Sequence, residues 1–140
     1  MTTSESALRS ALSAEREVTR ALRAAADYAR TGASGDGEAD AVARRAVSLL
    51  LTDRRARRAH LWAKIQARAF VDVALELLPE GHSCLFGHGR IRPEEPLGGA
   101  FVYSDLAGDN LVAQSEAATM GLAALAAVCL AWAHKLEAGR

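Results

Sequence analysis

Aromatic residues are scarce, making up 5% of this 140-residue chain. That is too few for a stacking platform on single-stranded nucleic acid, which needs a series of exposed rings along one groove. Net charge is missing as well. Seventeen basic residues balance seventeen acidic ones, so no global field draws the chain to DNA, RNA or an anionic bilayer. Cysteine occurs twice, as Cys84 and Cys129. Two thiols make no disulfide framework, and they suit a reduced, cytoplasmic protein. The opening MTTSESALRSALSAER has neither the basic start nor the apolar run of a secretory signal.

Alanine fills much of the space left by these shortages. Half the residues are apolar, but roughly 30 of them are alanine, the best helix former and a poor source of apolar area. A single domain of this length has surface enough to hide a core. That core must depend on close backbone approach, and a partner subunit would add to it. Arginine greatly outnumbers lysine; with the alanine excess this is the mark of a GC-rich genome, so single arginine clusters carry little weight. Residues 117–134 hold no charge, at the lower edge of a membrane-spanning length. Their large residues fall at heptad spacing, so a buried bundle helix is expected and no membrane.

Four helices are predicted. The first covers residues 4–30, capped by Ser4 or Ser6, with the seam Leu8, Ala11, Glu15, Val18, Leu22, Ala25, Ala29 in alternating steps of three and four. After a flexible TGASGDG connector, the second runs from about 38 to 51 and breaks near Thr52 or Asp53. The third spans 53–79, with the polar stripe Lys64, Arg68, Asp72, Glu76 and an apolar arc wide enough to make it the central element. The fourth begins near Asp105 or Asp109 and reaches Ala138, its seam being Leu111, Ser115, Ala118, Leu122, Leu125, Cys129, Trp132, Leu136. The fold class expected is all-α: an antiparallel four-helix bundle in one domain, residues 1–140, with a non-helical insert at 80–108 before the last helix. Spare apolar face on the first and last helices suggests a homodimer.

The insert gathers glycine, proline and histidine in EGHSCLFGHGRIRPEEPLGGAFVY. SCLF and AFVY have strand character and predict a small hairpin, or a compact loop, anchored by Phe86, Phe101 and Tyr103. Imidazole and thiolate are zinc ligands, so His82, Cys84 and His88 form a candidate metal site needing a fourth ligand from His60 or His134. The plainer expectation is that the two loop histidines are turn residues. Cys84 is also a candidate nucleophile with either histidine as base, but no family signature surrounds it. Glu94 and Glu95, adjacent on an extended segment, point opposite ways and make no acid–base pair. The glycines lack the spacing of a phosphate loop.

Two further constellations deserve names. Arg54, Arg55 and Arg58 share one helical arc and would track phosphates, or form a solvated charged run. Glu15, Trp62, Phe86 and Trp132, with Phe70, would line a small-molecule pocket between helices, lidded by the insert. The leading expectation is a helical-bundle interaction protein, homodimeric or an adaptor, that binds a protein partner through apolar helix faces and the 80–108 segment. The alternatives are a small-molecule-binding protein or enzyme closed by that segment, holding an apolar ligand or zinc, and a nucleic-acid-binding regulator using the arginines. No catalytic residue is assigned.

Overall fold

Alanine-rich stretches at both ends of the chain form the two longest helices. The computed structural model describes residues 3–32, 36–51, 54–88, 98–105 and 110–138. Its elements are α1 (Thr3–Asp27), a π-helical turn (Tyr28–Gly32), α2 (Asp36–Leu50), α3 (Arg55–Gln66), α4 (Phe70–Leu77), β1 (His82–His88), β2 (Gly98–Ser104), β3 (Asn110–Ala117) and α5 (Met120–Ala138). The strands form one antiparallel sheet in the order β1-β2-β3. The fold is therefore mixed, five helices and a three-stranded sheet, and the expected all-α four-helix bundle is incorrect.

Two departures account for the difference. The start of the expected fourth helix is a strand. Leu111, Ser115 and Ala118 fit helical steps, but Ala113, Ser115 and Ala117 also alternate, and these three are the buried positions of β3. The helix starts only at Met120, where the Thr119 hydroxyl accepts the Leu122 N–H at 3.1 Å as an N-cap. The expected third helix is broken into α3 and α4 at residues 67–69. There the Arg68 N–H bonds Ile65 O and the Ala69 N–H bonds Lys64 O, both at 2.9 Å. Arg68 has φ 60°. This is a Schellman ending with arginine in the left-handed position usually held by glycine. The Lys64-to-Glu76 row is thus no single stripe, although Lys64 still meets Glu76 across the break at 3.1 Å.

α5, and not the third helix, is the central element. Ten of its residues, from Leu122 to Ala133, are buried. It packs against α1 and α4 and also against β2 and β3, so both its apolar faces are used within the chain. By length and composition it could cross a membrane, but here protein covers it. Alanine permits this crowding. Ala25, Ala26 and Ala29 of α1 are buried along with Ala123, Ala124, Ala126, Ala127, Ala131 and Ala133 of α5, and an ion pair of 2.6 Å ties Arg23 to Glu137 at the rim. At Gly98, a Cβ would lie 2.2 Å from Thr119 O, so only glycine lets β2 meet the start of α5.

The expected hairpin exists: Ser83, Cys84, Leu85 and Phe86 pair with Tyr103, Val102, Phe101 and Ala100. It is one half of a larger sheet. The expected break between the second and third helices also exists, although Thr52 and Asp53 lie outside the described residues. So do Asp109 and residues 89–97, which include Glu94 and Glu95.

Candidate functional site: an inverted sheet face

An antiparallel sheet covered on one side ordinarily points large apolar residues inward and polar ones outward. Here the sizes are reversed. The inward face carries Ala100, Val102, Ala113, Ser115 and Ala117, all buried. The close approach of α5 at Gly98 leaves little depth beneath the sheet, so small residues suffice there. The outward face carries Leu85, Phe101 and Leu111, which are 63%, 42% and 49% exposed. Two rows cross the sheet: Leu85, Phe101, Gln114 and Ser83, Tyr103, Leu111. The register shift beside Val102 and Tyr103 leaves Val112 as the extra residue of β3. Val112 packs on the core, and Leu111 returns to the outward face opposite Tyr103. Leaving three such side chains about half in water forgoes about half of the roughly 1.5–3 kcal/mol that full burial of each supplies.

A second uncovered apolar region lies on α1. Thr19 is buried, its hydroxyl donating to Glu15 O at 2.9 Å, and Leu22 is fully buried. Toward the N-terminus the helix is exposed over most of its residues, and Leu8 is 61% exposed. The expected seam is therefore used only at its C-terminal half.

His82, Cys84 and His88 all lie on β1. An extended strand sets the Cα atoms of His82 and His88 about 20 Å apart, beyond what two imidazoles can bridge with one ion at about 2 Å. Among the described residues no group of three potential metal ligands is gathered. His82 Nδ1 is 3.0 Å from Glu80 O. Burial raises the Cys84 thiol above its usual pKa, which disfavours the thiolate a nucleophile or zinc ligand needs. Burial pushes Cys129 up to about 12.

The remaining candidates are dispersed. Trp62 lies beneath the Arg44 guanidinium, 5.4 Å from it. Trp132 Nε1–H donates to Leu77 O. Phe86 is partly exposed on β1, and Glu15 sits half-buried on α1. None of the four lines the cavities of about 270, 370 and 430 Å³ found among the described residues, although Phe70 borders the 370 Å³ one. Arg54 and Arg55 are exposed at the start of α3, and Arg58 is half-buried. Their neighbour Arg57 is committed to Glu76 O.

Sequence reasoning placed Phe86, Phe101 and Tyr103 as anchors into the core, read Leu111 as the first seam residue of a helix, and did not single out Leu85. Alternation marks two sides of a strand without saying which side the helices cover. The usable signal was size: apart from Val102, glycine, alanine and serine occupy alternate positions of GGAFVYS and AQSEA, leaving Phe101 and Tyr103 on the opposite side. No family model, curated protein or solved structure matches the chain.

Proposed function

We propose that the protein is an interaction module that docks a protein partner on the outward face of its sheet. The observation that carries this is the size inversion on β2 and β3: Phe101 and Leu111, with Leu85 of β1 beside them, lie outside, while Ala100, Val102, Ala113, Ser115 and Ala117 line the buried inside. Contiguous exposed apolar surface of this kind on a folded domain marks interaction sites. The uncovered half of α1 supplies a second, smaller apolar strip.

The test is position-specific photo-crosslinking in the producing cell. A benzophenone side chain is placed in turn at Leu85, Phe101, Leu111 and the exposed Gln66 of α3. Discrete adducts are expected from the three sheet positions and none from residue 66. Phe101→Asp should remove the adduct at 85 without altering far-ultraviolet ellipticity. Adducts from all four positions alike, or from none, would refute the proposal.

A further inference from the structure

The two edges of the sheet are protected unequally. Beside β3 lies the π-helical turn, and its pairing with β2 is interrupted by the register shift at Val102 and Tyr103. Coverage and irregularity are the usual protections of an edge. β1 has neither among the described residues. Its seven residues pair with β2 in uninterrupted register, its other side pairs with no described strand, and it contains no charged residue, no proline and no bulge. Leu85 and Phe86, consecutive and therefore on opposite faces, are both exposed.

We infer that β1 pairs antiparallel with β1 of a second copy of this chain, centred on Leu85, to make a six-stranded sheet. The inference rests on the reading of the protein as an interaction module, and places a second copy at the β1 edge that borders the outward face. Self-complementarity argues for a second copy. Centring on Leu85 matches all seven residues. It sets Leu85 against Leu85 on the outward face, Ser83 against Gly87, and Cys84 against Phe86 on the inward face. Small thus meets small at 83 and 87, and sulfur meets an aromatic ring, a favourable contact. Two identical surfaces related by a two-fold axis are the commonest route to a dimer. The same register sets His82 against His88 of the other copy, and the strand carries no Lys, Arg, Asp or Glu to repel its twin.

Area sets the strength. A seven-residue edge is about 23 Å long and roughly 10 Å deep, or about 230 Å² in cross-section. A standard interface buries about 800 Å² per partner. So small an edge suits one strand of equal length better than a broad globular partner. The dimer is accordingly weak, with dissociation in the micromolar range or above.

Disulfide trapping reads both partner and register. In a Cys84→Ser background, Leu85→Cys places the two new thiols directly opposite, with Cα atoms about 4.5–5.5 Å apart, inside the range a disulfide needs. Ser83→Cys, equally outward, places them about 13 Å apart along the strand, outside that range. Under mild oxidation the first variant is expected to give at least about ten times more covalent dimer than the second, with both melting as Cys84→Ser alone does. Sedimentation of the unmodified chain from about 5 µM to about 500 µM should show a reversible monomer–dimer shift. Equal trapping at 83 and 85 overturns the register. A monomer at every concentration, with trapping at neither position, overturns the second copy. A photo-adduct at 85 of some other mass would then leave the interaction module standing with a different partner. Absence of any adduct would remove the module as well.

Discussion

Arg68 occupies a left-handed backbone position, φ 60°, where a side chain with a Cβ costs roughly 1–2 kcal/mol relative to glycine. Arg68→Gly should therefore raise stability by about 0.5–1 kcal/mol despite the extra freedom of the unfolded chain, read as an increase in urea midpoint at unchanged slope. Glu76 offers a second test. Partial burial acts to raise its carboxyl pKa, but hydrogen bonds and charge from Lys64, then His60, outweigh that and hold it below its ordinary value of 4.5. A carboxyl depressed on folding contributes stability that is present above the unfolded pKa and is lost as pH falls through the folded one. Glu76→Gln should lose under about 1 kcal/mol at pH 7, the range of surface pairs. Mutant and parent should converge in urea titrations once the pH is well below 4.5. The same residues explain what the sequence concealed. Arg68 hid the end of α3 because nothing about an arginine announces a left-handed turn, and Thr119 hid the start of α5 because a 4/3 seam ran straight through it.

At the scale of elements, α1 divides into a packed half and an uncovered half. Leu22 is fully buried whereas Leu8 is 61% exposed. Leu22→Asp should unfold the protein, since it buries a charge with no partner. Leu8→Asp should change the melting temperature by less than about 2 °C, because a surface substitution stays within about 0.5 kcal/mol. Circular dichroism melts of the two variants check this, and equal losses would mean the N-terminal half is packed after all. Helix 1, helix 2 and the paired SCLF and AFVY runs were legible because alanine-rich helical spacing and β-rich composition act locally, although Ser4 and Ser6, expected as caps, lie inside α1. The third strand was not, since the short alternation of Ala113, Ser115 and Ala117 competes with a 4/3 helical seam over the same residues, and only the partner strand and α5 decide between them. For the same reason the candidate site was seen as a histidine-rich loop, and its apolar residues were assigned elsewhere, Phe101 to the core and Leu111 to a helical seam, because alternation alone does not say which side of a strand is covered.

For the whole molecule, Cys129 is the natural reporter. It is fully buried in the middle of α5, its thiol pushed up to about 12. Only an opening that separates α5 from its neighbours exposes it. A thiol reagent at pH 8 should modify Cys84 promptly and Cys129 at least about 10³-fold more slowly, at a rate that tracks global stability. A raised thiol pKa contributes stability that is complete below the unfolded value of 9.0 and is lost as pH climbs toward about 12. Across that interval stability should fall by about 1.4 kcal/mol per pH unit for this one proton, read as a falling urea midpoint. Cys129→Ala should flatten the decline.

The position of α5 in the chain also bears on biosynthesis. It follows every other described element, yet α1, α4 and the sheet all lean on it. As the polypeptide leaves the ribosome, the earlier helices and strands emerge with their shared support still unmade, and they must wait beside one another with alanine-lined and leucine-lined surfaces bare. Nascent chains of this protein are thus natural clients for holding chaperones until residues 120–138 appear, and truncation just before Met120 should yield an aggregating product instead of a smaller folded one.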